Sequence, residues 1–153
     1  MECPIKVKKL SIAVQNVIIN KKYRNIIITR SKKPIDITIK LQPSIESKEY
    51  KIRIIYKKLT ERPKILLNVN QIDNKKARIP HVFKDVKIGS NVYKSLCLYQ
   101  KYEWNNTHNI TEIIPWISEW LYYYELWCIT GEWLGGGHEF RKKDLEKGVQ
   151  DNV

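Results

Sequence analysis

The spacing of apolar residues changes twice along the chain, dividing it into a helix, a block of strands and a second helix. Near the N-terminus Val7, Leu10, Val14 and Val17 recur at helical spacing, with Ala13 and Ile18 widening the stripe. This spacing predicts an amphipathic helix over residues 8–21 with that stripe buried, although Val and Ile are mediocre helix formers. A period of two then takes over. Residues 25–29 are a short apolar run, and residues 35–41 alternate apolar and polar without a break, as a half-buried strand does. Pro43 and Ser44 open a turn, after which Tyr50, Ile52, Ile54 and Tyr56 share one strand face with Lys51, Arg53 and Lys57 opposite. Pro63 ends the next connection, and residues 64–69 make a further strand. Connections this short predict an antiparallel meander.

Residues 70–102 read as polar, turn-rich and irregular, punctuated by Pro80, Gly89 and Asn91, with Leu96-Cys97-Leu98 as an apolar island. The strongest helix signal follows. Asn109 can cap it, Glu112 completes a capping box, and Gly131 stands where the last turn ends. Ile113, Ile117, Trp120, Leu121, Tyr124, Trp127 and Cys128 fall on one broad apolar face, with Ser118, Tyr122 and Glu125 on the polar stripe. Pro115 is tolerable because it lies close to the first turn. The pattern predicts an α+β domain: N-terminal helix, antiparallel β-meander, irregular segment and long C-terminal helix. One domain accounts for residues 1–153, with a core over about 8–138 and a charged tail at 139–153.

Composition changes this picture little. Apolar residues at 42% and charged residues at 29% describe a globular chain rather than a disordered one. Most of the five Trp and nine Tyr lie beyond residue 90, so that half should hold much of the core or a binding surface. The net charge of +12 favours acidic partners, nucleic acid first among them. The lysines are nevertheless scattered over element ends and polar strand faces, where they are an ordinary solubilising choice. The longest apolar stretch, residues 110–134, is interrupted by Glu112, Pro115, Glu119, Glu125 and Glu132 and does not read as a membrane span. Three widely spaced cysteines and no signal-peptide pattern predict reduced thiols and a cytoplasmic location.

Candidate chemistry narrows to one thiol. Cys3 lies in a terminal tail, and Cys128 falls on the apolar helix face, where a small core residue is expected. Cys97 stands in an irregular segment between two leucines. Position alone fits both an anchored, accessible nucleophile and a small buried residue. His81, His108 and His138 show no zinc-ligand spacing with the cysteines. A pairing of Cys97 with His81 or His108 would suit acyl chemistry, but nothing local fixes it. Gly135-Gly136-Gly137 lacks the Lys-Ser/Thr of a phosphate loop and reads as a plain loop. Leu134-Gly135-Gly136 is like the tail of a ubiquitin-like modifier, but the length of the chain and the place of Cys97 do not suit one. No metal or organic cofactor is expected.

The order Ile79-Pro80-His81, Leu96-Cys97-Leu98 and Trp104 resembles the active-site stretch of ubiquitin-conjugating enzymes. There a His-Pro-Asn turn precedes a cysteine flanked by aliphatic residues and then a Trp. The likeness is closer to the bacterial branch of antiviral CBASS operons, in its stand-alone, short type II form. It is carried by Leu41-Gln42-Pro43-Ser44, Ile79-Pro80-His81-Val82, Leu96-Cys97-Leu98-Tyr99, Glu103-Trp104 and Ile114-Pro115-Trp116, and by Glu119-Trp120-Leu121 through Gly131-Glu132-Trp133.

The resemblance implies a ubiquitin-conjugating-enzyme-like fold and a thioester, or a comparable covalent bond, between Cys97 and a partner's C-terminal carboxylate. The implied partner is a cGAS/DncV-like nucleotidyltransferase primed for cyclic-nucleotide signalling. It also implies that no adenylating domain is attached, and that His81 organises the loop rather than acting as a base. The family's oxyanion-stabilising Asn is missing, since Val82 and Phe83 follow His81. A donor must then come from the backbone or from Asn105 or Asn106. Trp104, Asn105, Asn106 and His81 are thus the expected supports of Cys97. Two other readings stand beside this one: a non-catalytic adaptor of the same fold that binds the nucleotidyltransferase through its aromatic half, and a basic nucleic-acid-binding module without a recognisable motif.

Overall fold

A computed structural model describes residues 10–23, 26–28, 35–73, 78–98 and 108–135. Cys3, Val7, Trp104, Asn105, Asn106, His138 and the tail 139–153 lie outside the described residues.

The alternating segments form the strands they predict. Strands β1 (Ile26–Ile28), β2 (Ile35–Leu41), β3 (Tyr50–Tyr56) and β4 (Lys64–Asn68) make an antiparallel meander. The β2–β3 register sets Ile35 against Tyr56, Ile37 against Ile54 and Ile39 against Ile52. All six are buried on one sheet face, as a period of two demands. Ile65 and Leu67 extend that face on β4, and Val69 turns out to begin a 3-10 turn rather than end the strand.

The segment expected to be irregular contains a hairpin. β5 (Val86–Ile88) and β6 (Asn91–Ser95) pair around Gly89 and Ser90, and β6 also pairs with β4. The sheet order is therefore β1-β2-β3-β4-β6-β5. Gly89 has φ +60, a conformation that glycine adopts without penalty, so the residue taken as loop punctuation is the hairpin turn itself. Ile55, Leu66 and Tyr93 form a second small cluster on the far sheet face, flanked by Val86 and Ile88.

Helix α1 (Ile12–Lys22) starts at Ser11, whose hydroxyl accepts from the Val14 N–H, and Lys21 and Lys22 complement the dipole of its last turn. Its buried face is not the expected one. Gln15 and Ile19 are fully buried, whereas Val14 and Val17 are 46% and 54% exposed. The buried amide of Gln15 donates to Leu10 O at 3.0 Å and accepts from Ile110 N at 3.0 Å. It thereby satisfies an orphan donor at the start of the C-terminal helical segment. Apolar residues lie all around α1, so periodicity alone could not select the face; a polar bridge does.

Helix α2 (Ile113–Thr130) follows a 3-10 turn at Ile110–Glu112, and the predicted Asn109/Glu112 capping box is present. Gly131 closes it at φ 77, its N–H donating to Trp127 O. Ile113, Ile117, Trp120, Leu121, Tyr124 and Trp127 are buried against the sheet, as their spacing predicts. Two residues depart from expectation. Cys128 is exposed rather than core filler, because it falls in the last turn, where Ile129 and Thr130 are exposed too. Glu125 is not a solvated stripe residue: its carboxylate accepts from Ser47 Oγ at 2.6 Å and from Tyr50 Oη at 2.9 Å. No helix among the described residues is long and apolar enough to cross a membrane.

Candidate active site

Cys97 lies two residues beyond β6, and the pairing of that strand continues up to it on both sides. On one side Leu96 N donates to Ile65 O at 2.8 Å, extending the β4 contact. On the other, Phe83 N donates to Ser95 O at 2.8 Å and Cys97 N donates to His81 O at 2.9 Å. Val82 and Leu96 form the bridge between these two bonds. Between this bridge and the Val86–Tyr93 pair, Phe83, Lys84 and Asp85 oppose only Lys94 and Ser95. That excess residue makes the arrangement a bulge, which ends regular pairing beside the cysteine. Lys94 Nζ and Asp85 Oδ1 meet across it at 2.9 Å.

The result holds Cys97 between a buried neighbour and a half-buried one. Leu96 is buried in the main core, Leu98 packs against that core from its margin, and Cys97 itself is half-buried. A thiol anchored by its neighbours without being sealed in apolar surroundings keeps access to a reaction partner.

His81 lies at the centre of the loop that faces it. Its φ of 54 makes it the one non-glycine residue with positive φ among the described residues. Such a conformation is unfavourable for a residue with a Cβ, although His visits it more readily than most. The carbonyl of His81 accepts from two donors: the Cys97 amide, and the indole of Trp120 at 3.1 Å. His81 is 7% exposed, and its imidazole lies 4.9 Å from the Trp133 ring, centroid to centroid. Trp133 in turn contacts Trp120 at 5.5 Å and Tyr123 at 6.3 Å. The segment after α2 thus folds back over the helix and covers His81. Gly135 belongs to the same packing, since a Cβ there would come within 2.5 Å of Trp133 Nε1.

Of the expected site residues, the structure brings His81 and Cys97 together, and it does so through the His81 backbone. Trp104, Asn105 and Asn106 lie outside the described residues. His108 is elsewhere, at the start of the C-terminal helical segment, with Nδ1 3.0 Å from Glu112 Oε2. Sequence reasoning missed three contributors: Trp120, Trp133 and the Phe83–Ser95 bond. Trp120 lies on a regular apolar stripe, so nothing in its spacing marks its N–H as aimed at a loop.

The backbone bonds also limit the chemistry. The amides of Cys97 and Phe83 are both committed to carbonyls, so neither is available to an oxyanion forming at the thiol. Among the described residues no group of His, Cys, Asp and Glu is arranged to hold a metal ion.

A search of curated proteins returns no match. A family model described as Type II CBASS E2 protein matches residues 15–140, a span that holds most of α1, strands β1 to β6, all of α2, His81 and Cys97. By that match over most of its length, the chain belongs to the Type II CBASS E2 family.

Proposed function

We propose that this protein is a cysteine-dependent conjugating enzyme of antiviral CBASS signalling, with a ubiquitin-conjugating-like fold and Cys97 as the acyl acceptor. The observation that carries the reading is the pinning of a half-buried Cys97 to the left-handed His81 turn by its own backbone amide. The partner is a cGAS/DncV-like nucleotidyltransferase, met in the cytoplasm and joined through its C-terminal carboxylate.

A free carboxylate does not acylate a thiol, so the acyl group arrives activated, as an acyl adenylate or as a thioester on a donor protein. The Cys97 thiolate attacks the acyl carbon, and a new carbon–sulfur bond forms. The bond to the AMP phosphate oxygen or to the donor sulfur breaks, and that group leaves with the electron pair. The thiol proton passes to solvent. An adenylating enzyme supplies that activated acyl group.

With the Cys97 and Phe83 amides occupied, the tetrahedral oxyanion needs another donor, and Asn105 and Asn106 are the side-chain candidates in sequence. His81 acts as a loop organiser: its carbonyl holds the cysteine, and its ring is packed under Trp133. The net charge of +12 favours an acidic docking surface on the partner.

Intact-mass analysis after co-expression with the nucleotidyltransferase and its adenylating enzyme tests this reading. A partner-sized adduct is expected on the wild-type protein, lost on treatment with excess thiol and absent from Cys97→Ala. An adaptor without chemistry would give the same complex from both proteins and no adduct from either.

A further inference from the structure

We infer that Trp120 is a positioning residue for Cys97, acting through the indole N–H that it donates to the His81 carbonyl. This rests on the reading of Cys97 as the acyl acceptor but makes a separate structural claim.

A carbonyl oxygen has two lone pairs, and both at His81 are used: one by the Cys97 amide at 2.9 Å, the other by Trp120 Nε1 at 3.1 Å. The left-handed His81 backbone is unfavourable in isolation and persists only where its surroundings hold it. Trp120 is well placed to hold it. It is buried, its ring stacks on Tyr124 at 5.5 Å with an 8° interplanar angle, and Trp133 flanks it at 5.5 Å. The ring is therefore fixed relative to α2, the longest element of the domain. The chain of contacts runs from α2 through the indole to the His81 oxygen and on to the Cys97 amide. The helix thus sets where the cysteine backbone sits, and a nucleophile held in place reacts faster than one that wanders.

A buried Trp N–H needs a partner in any case, so the positioning role must be separated from plain satisfaction of a polar group. Replacement of Trp120 by 3-benzothienylalanine does this, because it keeps the bicyclic shape and the stacking but removes the donor. Trp127→Phe, on the same helix, controls for general loosening. Amide exchange followed by NMR on each protein reads the Cys97 site directly, and the rate of partner adduct formation reads its consequence.

The analogue should lower protection at the Cys97 and Phe83 amides by about three- to tenfold, the size of one net hydrogen bond, and leave Ile52 and Ile54 unchanged. Adduct formation should slow by a similar factor at saturating partner, with the half-saturating concentration unaltered. Trp127→Phe should leave the Cys97 amide as it was. Unchanged exchange at Cys97 in the analogue, or an equal loss in Trp127→Phe, overturns the inference. If the wild-type protein forms no adduct at all, the acyl-acceptor reading fails, while exchange at Cys97 still decides whether Trp120 positions it.

Discussion

At the scale of single residues, the site depends on backbone conformation more than on side-chain chemistry. His81 contributes a carbonyl, and that carbonyl reaches its two donors from a left-handed φ of 54. The cost of that conformation can be isolated. His81→Gly and His81→Val both lose the ring contact with Trp133, but only Val, with its branched Cβ, is strongly disfavoured there. His81→Val is therefore expected to be less stable than His81→Gly by about 1–2 kcal/mol in urea unfolding. Equal stabilities would mean that the turn relaxes and that φ is not held by its neighbours. Little of this was legible beforehand. The Pro80-His81 and Leu96-Cys97-Leu98 patterns pointed to the two residues that the Cys97–His81 backbone bond joins, but φ leaves no mark in the order of residues. The three thiols also show how far periodicity reaches. Cys128 matches the apolar stripe of α2 and is exposed all the same, because a stripe describes a direction and not where the covering sheet ends.

At the scale of elements, the parts that were legible are those whose local signals agree. β2 alternates without fault, β3 departs from alternation only at Ile55, and the two pair in the register that puts every Ile of β2 against an apolar partner. The capping box and Gly131 fix both ends of the C-terminal helical segment. Added bulk at Gly131 meets nothing within 4 Å, so Gly131→Ala tests its φ alone. It should cost about 1 kcal/mol, measured by urea unfolding. The β5–β6 hairpin was illegible because its strands are short and its turn residues resemble loop punctuation. The face of α1 was misjudged because the decisive residue is polar. Gln15→Leu tests that explanation: it is apolar and similar in length, but leaves the Ile110 N–H without its partner. A loss of about 1–3 kcal/mol in urea unfolding is expected, whereas simple apolar docking of α1 would make the change neutral or stabilising.

At the scale of the whole molecule, the aromatic half ties α2 to the sheet, and its phenols link that packing to pH. Burial raises the pKa of Tyr50 well above its ordinary value, helped by its hydrogen bond to Glu125. Burial likewise raises Tyr56, and it raises Tyr124 together with a hydrogen bond to Cys128. The unfolded chain releases phenol protons from pH about 10, while the folded protein retains them to higher pH. The stabilisation is therefore complete below pH about 10 and falls as pH rises further. Urea midpoints should be insensitive to these groups up to pH 9 and decline by pH 11, less steeply in Tyr50→Phe. A decline of the same slope in both proteins would contradict the assignment. The central claim is more specific than stability: of the two cysteines that the structure describes, the half-buried Cys97 accepts the acyl group and the exposed Cys128 does not. It is tested most directly by two single-cysteine proteins, each with its other cysteines changed to Ser and each co-expressed with the nucleotidyltransferase and its adenylating enzyme. Under thiol-free conditions, intact mass should show the partner adduct only on the protein that retains Cys97; an adduct on the Cys128 protein, or equal labelling of both, would contradict the account.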